Sequence, residues 1–281
     1  MGLPQEIVDR IMDMLQDDLP TLKACSLTCK AMLASTRHLI HRTLYLTRRN
    51  NESVPQKNKL PRGSYYHALR FLSYAGERGL LQYTLEVHIR DPFFTPDTLL
   101  PHLHHFQTLD RVHTLIVEHY DVFLWANQYK ICFAHFYPTL TSLTLRRSFA
   151  PYRLLMQFVL QFPNLENLCL ELLRDELEPL LDSTVPPTVD RTPPLHGHLR
   201  LAGPGDADPW PMNFVHELDN RVNFRSVELE DCFGIFARYM LGECGRTLED
   251  LTIIVPLRVT GTRYPSFPSL ALTLLQQDTC S

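Results

Sequence analysis

The apolar positions of this chain keep two rhythms. In the first part they recur with helical period: Ile7, Ile11, Met14 and Leu15 stand at i, i+4, i+7 and i+8, with Glu6, Asp9, Arg10 and Asp13 among them. That spacing predicts an amphipathic helix whose apolar side is Ile7, Ile11, Met14 and Leu15. Pro4 suits its first turn, where a missing N–H costs nothing. Gln16-Asp17-Asp18-Leu19-Pro20 breaks the pattern and sets carboxylates before the positive end of a second helix, which carries Leu22, Cys25, Ser26 and Leu27. A third segment starts at Thr28-Cys29-Lys30-Ala31-Met32. Three helices this short bury little core among themselves, so the unit is expected to finish its packing on a neighbour or a partner protein.

The second rhythm has period two. After a polar stretch at residues 48–64 and a helical pattern over Tyr65–Arg78 that ends at Gly76 and Gly79, Leu85-Glu86-Val87-His88-Ile89 alternates as a half-buried strand should. The signature returns at Leu115-Ile116-Val117, Leu143-Thr144-Leu145, Leu168-Cys169-Leu170, Leu199-Arg200-Leu201, Val227-Glu228-Leu229 and Leu251-Thr252-Ile253. Counted through Val87, Val117, Leu145, Leu170, Leu201, Leu229 and Ile253, the steps are 30, 28, 25, 31, 28 and 24 residues. Helical stripes are expected between them at Thr95–Phe106, Asp121–Tyr137, Pro151–Phe162 and Phe233–Leu241. Residues 182–211 interrupt the cadence with seven prolines and three glycines, and are expected to form a surface insertion around one weak repeat at Leu199–Leu201. Leu270–Leu275 near the end is expected to cap the array or pack on its last repeat.

Both rhythms carry a resemblance. Leu3-Pro4-x-Glu6-Ile7-x-x-x-Ile11 followed by Leu22-x-Ala24-Cys25-Ser26-Leu27-x-Cys29-Lys30 resembles an F-box of the form common in fungal F-box proteins. The resemblance implies a helical module that docks on a Skp-type adaptor and so joins a cullin–RING ubiquitin ligase. Carried over by position, Leu3, Pro4, Ile7, Ile11, Leu22, Cys25, Leu27 and Cys29 are its adaptor-facing or module-core residues. One place departs: Met32 stands where the family usually has an aromatic, and a thioether can fill such an irregular gap. The L-x-x-L-x-L form at Leu140/Leu143/Leu145, Leu165/Leu168/Leu170 and Leu248/Leu251/Ile253 looks like an irregular leucine-rich-repeat solenoid, one strand and one returning helix per repeat. The expected fold is therefore α/β (α+β overall): an F-box at residues 1–47, a linker at 48–64 and a leucine-rich-repeat-like recognition domain at 65–281.

Composition narrows the function classes. The chain has 281 residues, 44% apolar and 21% charged, ordinary for a globular protein. A net charge of −4 gives no electrostatic case for nucleic acid, and no apolar run approaches the roughly 18 residues that a membrane span requires. Seven scattered cysteines read as reduced core thiols, which points to an intracellular protein of the cytoplasm or nucleus.

Little in the sequence suggests catalysis. His102-x-His104-His105 is the best metal candidate, but its i, i+2, i+3 spacing and the lack of nearby carboxylates favour a solvated helix face over a metalloenzyme. No G-x-S-x-G elbow and no phosphate loop occurs, since Gly203-Pro204-Gly205 lacks the lysine of that motif. The expectation is a non-enzymatic chain with no metal and no cofactor.

What remains is a binding surface. Side chains between the core leucines should point outward from the strands: Glu86, His88, Ile116, Glu118, Thr144, Arg146, Glu171, Glu228, Glu230 and Thr252. Five of these ten are Glu against one Arg, which predicts a negative face suited to a basic target. The reading is thus a substrate receptor: F-box to adaptor, repeat domain to an unspecified target protein through Glu86, His88, Glu118, Arg146, Glu171, Glu228 and Glu230. The alternative is a repeat scaffold whose F-box, altered at Met32, no longer recruits a ligase.

Overall fold

A computed structural model of the chain describes residues 3–47, 64–90, 100–118, 134–147, 155, 158–171, 195–203, 222–230, 242, 247–255 and 270–275. Helices α1 (Gln5–Met14), α2 (Leu19–Ser26) and α3 (Lys30–Ile40) open it. The start of α2 is fixed as its sequence suggests: the Asp18 carboxylate accepts from the Thr21 N–H at 3.1 Å and the Thr21 hydroxyl at 2.6 Å, an N-cap that satisfies an orphan donor of the first turn.

Two residues after α3 the chain enters a nine-stranded sheet in the order β1 to β9, identical to the order in sequence. The strands are β1 (Thr43–Thr47), β2 (Glu86–Arg90), β3 (Thr114–Glu118), β4 (Ser142–Arg146), β5 (Asn167–Glu171), β6 (Leu195–Ala202), β7 (Val222–Glu230), β8 (Asp250–Val255) and β9 (Leu270–Leu275). β1 to β8 run parallel, and β9 pairs antiparallel with β8. The protein is thus mixed helix and strand with an eight-stranded parallel sheet, in line with the expected α/β class.

Two rows of apolar side chains cross the sheet in register. One runs Leu44, Val87, Leu115, Leu143, Leu168, Leu199, Val227, Leu251; the other runs Leu46, Ile89, Val117, Leu145, Leu170, Leu201, Leu229, Ile253. All but Ile253, which is half-buried, belong to one continuous core. Phe106, Leu109, Val112, Phe136, Leu140, Leu155, Val159, Phe162 and Leu165 from the connections close over them.

Three sequence expectations shift. Val87 pairs with Leu115, and the residue in row with Val117 is Ile89, so the first step of the cadence is 28 rather than 30. A slip of two keeps every side chain on its own face, so the apolar pattern cannot detect it. Strand β1 lies inside the residues assigned to the N-terminal module, so the sheet begins before the expected linker. The weak repeat at Leu199–Leu201 is a full strand of eight residues. Within it Gly197 has φ +90 at a register shift, and a Cβ there would stand 2.2 Å from the Glu166 carbonyl oxygen, so only glycine fits.

The turns before the strands repeat one device. The carbonyl of Arg42 accepts from both Leu85 N and Glu86 N, that of Leu85 from His113 N and Thr114 N, and that of His113 from Thr141 N and Ser142 N. The Thr141 carbonyl does the same for Glu166 N and Asn167 N. Each turn thereby satisfies two backbone donors of the next.

Helix α4 (Ser64–Glu77) matches the predicted Tyr65–Arg78 and buries Leu69, Leu72 and Ala75 beside β1. Of the expected stripe Thr95–Phe106, residues 100–106 form a 3-10 turn (Leu100–His102) and the short helix α5 (Leu103–Phe106). Leu155, Phe158 and Val159 of Pro151–Phe162 are helical and buried. Phe233–Leu241, most of Asp121–Tyr137 and most of residues 182–211 lie outside the described residues.

Candidate functional site

The helical module has a core of its own, and it is small. Val8, Met12 and Leu22 are buried, with Leu15, Cys25, Met32, Leu39 and Ile40 packed around them. Helix α1 therefore faces inward through Val8 and Met12, one residue round from the predicted Ile7/Ile11 side. A polar clasp fixes that rotation: the Ser35 hydroxyl donates to Asp9 Oδ1 at 2.6 Å, and the Gln5 amide donates to Asp9 Oδ1 at 2.8 Å and to Ser35 Oγ at 2.7 Å. These bonds, Ser35 first, hold the Asp9 carboxyl below the usual carboxylate range.

The consequence is an uncovered apolar stripe. Leu3 is 63% exposed, Ile7 45%, Ile11 41% and Met14 83%, at helical spacing along one side of α1. Leu19 and Leu27 add two more exposed leucines, at 41% and 87%. Among the residues that the resemblance marks, Leu3, Pro4, Ile7, Ile11, Leu27 and Cys29 lie on the surface. Leu22 does not: it is wholly buried and cannot touch a partner, and Cys25 is half-buried against the same core. Met14 and Leu19 were missed as surface residues, although the i, i+7 spacing from Ile7 to Met14 was in view. Met32 is half-buried against the core and its sulfur accepts from the Thr28 hydroxyl at 2.8 Å, so the thioether packs where an aromatic was expected.

On the sheet, the residues between the core rows alternate with the core positions as expected, but Thr144 is buried and the other nine are half-buried, and their charges do not stand alone. Arg90 Nε lies 3.2 Å from Glu118, Arg146 lies 3.4 Å from Glu118 and 2.7 Å from Glu171. Arg200 lies 3.9 Å from Glu171, 3.1 Å from Glu228 and 2.8 Å from Glu230. Cation and anion thus alternate from β2 to β7 in one chain of ion pairs. Glu86 is paired with His88, whose ring lies against Tyr45 at 4.8 Å between centroids.

The predicted negative face is therefore weaker than the sequence suggests: three guanidiniums offset three of the four carboxylates along the row, and one negative charge is left besides Glu86. Counting outward residues along the chain overlooked Arg90 and Arg200, which only the strand register brings beside the glutamates. Cys169 sits under this row. Burial, then the Glu171 charge beside it, pushes its thiol up to about 12, so it is an unreactive thiol.

The histidine cluster is not the solvated face expected. His105 is 8% exposed and lies against Gly76 of α4, where an added Cβ would stand 2.2 Å from Nδ1. His102 Nδ1 lies 3.1 Å from the Ser73 hydroxyl, and only His104 is exposed. These rings serve packing, and among the described residues no group of three His, Cys, Asp or Glu could hold a metal ion. Among them too, no helix is long and apolar enough to cross a membrane. The chain matches no protein-family model, no curated protein and no solved structure.

Proposed function

We propose that this chain is the non-catalytic substrate-recognition subunit of a cullin–RING ubiquitin ligase of the SCF type. Residues 3–40 are an F-box that binds a Skp-type adaptor, and the sheet with its connections is a leucine-rich-repeat-like solenoid that holds a target protein inside the cell. The observation that carries this reading is the stripe Leu3, Ile7, Ile11 and Met14. It stays exposed although α1 already has a complete inward side in Val8 and Met12. An apolar row with no role in its own core is what a docking helix presents to a partner's groove. The solenoid part of the reading is supported by sequential parallel strands, two apolar rows in register and a turn hydrogen-bond pattern that recurs at each step. Such a receptor needs no active site: holding a target lysine near the charged ubiquitin carrier raises its effective concentration.

The test is capture of a purified Skp-type adaptor by the full chain, beside Ile7→Asp and a Leu3→Ala/Pro4→Ala double variant. In the free chain Ile7 is exposed, so aspartate is tolerated there. On docking it would be buried without a partner, at a cost of several kcal/mol or about a hundredfold or more in affinity. Capture by the wild type and loss in Ile7→Asp is the expected result. A wild type that fails to bind a competent adaptor overturns the ligase reading.

A further inference from the structure

Helix α4 is held by imidazoles. His41, in the junction between α3 and β1, stacks on Phe71 with centroids 6.4 Å apart and planes at 21°. His102 meets Ser73 through Nδ1, and the His105 ring occupies the place of a Cβ at Gly76. Phe71, Ser73 and Gly76 fall within two turns of one helix, so the three rings together seat its C-terminal half. Between them α4 buries Leu69, Leu72 and Ala75 against the first strands.

We propose that α4 is an acid-labile clamp on the first strands of the sheet, seated while these three rings are neutral and loosened when they take up protons. The surroundings work against the charged rings. His41 titrates below the ordinary imidazole range because burial disfavours its charged form and Arg37 lies near. His102 is lowered by burial and by His104, and His105 by burial, His104 and His102, opposed only by Glu77. The other groups on α4 that carry charge or titrate near neutral pH are His67 and Arg70, and Arg78 follows its last residue, over the Tyr74 ring at 5.5 Å; none of the three is an acid. Neither β1 nor the turn Leu81–Tyr83, which also pack on α4, carries an acidic group. Among the described residues of α4, α5, β1 and the turns Leu81–Tyr83 and Leu100–His102, Glu77 is the one carboxylate, and it acts on His105.

The sign follows from linkage. A histidine whose folded pKa lies below its unfolded value of about 6.5 contributes stability that is complete above that value and lost as pH falls through the folded pKa. His102 and His105 protonate next to each other, with ring centroids 6.3 Å apart, so the second proton meets the first. The inference holds whatever the chain binds, since it concerns only how α4 is seated.

Amide hydrogen exchange of the full chain tests it, corrected for intrinsic rates, between about pH 7.5 and about pH 5.5, either side of the ordinary imidazole value. Residues 64–77 are expected to lose protection at least roughly tenfold on acidification while β4 and β5 keep theirs. The double variant His102→Gln/His105→Gln should lose little. No acid loss in the wild type overturns the clamp, and so does equal loss in wild type and variant. Should the variant leave α4 unseated at the higher pH, NMR titration of the wild-type imidazoles decides. Midpoints below about 6.5 for His41, His102 and His105 sustain the proposal, and midpoints at or above that value for His102 and His105 overturn it.

Discussion

The helical module and the sheet solve the problem of a core in opposite ways. The sheet stacks like on like: each strand lays two apolar residues between those of its neighbours, and the connections roof them over. The module buries only Val8, Met12 and Leu22 fully and leaves six large apolar side chains uncovered. Among the described residues, the sheet's two apolar rows are covered, whereas the module keeps an apolar stripe open on one side. That difference separates residues that hold the chain's own core from residues that its core does not use.

The comparison breaks most visibly at the centre of the sheet. Leu145→Ala in β4 removes a buried side chain flanked on both sides by the same row, and should cost about 2–5 kcal/mol of global stability, read as a lower urea midpoint at unchanged slope. In the module, Leu22→Ala should cost about 2–3 kcal/mol, seen as faster amide exchange confined to residues 5–40 while β3 to β5 stay protected. Global loss of protection in that variant would show that module and sheet unfold as one unit. Ile11→Ser, on the exposed stripe, should change stability by no more than about 0.5 kcal/mol and still weaken adaptor capture. Smallest in effect is Arg200→Gln. It leaves Glu171, Glu228 and Glu230 near one another, but the Arg200 side chain is 36% exposed, so water screens the site. The cost should be about 1 kcal/mol or less and shrink as salt rises.

The sequence disclosed the two regions unequally, for physical reasons. Strands β2 to β8 were legible because every repeat carries two aliphatic residues with one residue between them, and Leu143/Leu145 or Leu168/Leu170 need no tertiary context to be read. β1 was not, since Thr43-Leu44-Tyr45-Leu46-Thr47 follows α3 after two residues and its distance to β2 departs from the cadence. Helix α1 carries two adjacent apolar stripes, Ile7/Ile11/Met14 and Val8/Met12/Leu15. Helical period alone cannot say which turns inward; the Asp9–Ser35–Gln5 clasp, made across 26 residues, decides it. The ion-pair row was hidden for the same reason. Its partners stand on neighbouring strands 25–30 residues apart, and their meeting depends on register rather than on composition.

The junction between α3 and β1 has a mechanical meaning. Only His41 and Arg42 separate helix from strand, and both are tied down: the His41 carbonyl accepts from the Thr84 hydroxyl, and the Arg42 carbonyl from two amides of the next turn. The sheet then extends through eight strand spacings of about 4.8 Å, a path of roughly 40 Å that is the upper bound of the lever. On such an arm, one degree of rotation at the junction displaces the far strand by at most about 0.7 Å. A rotation of the helices is thus passed to the sheet through two residues and the bonds that tie them to the next turn.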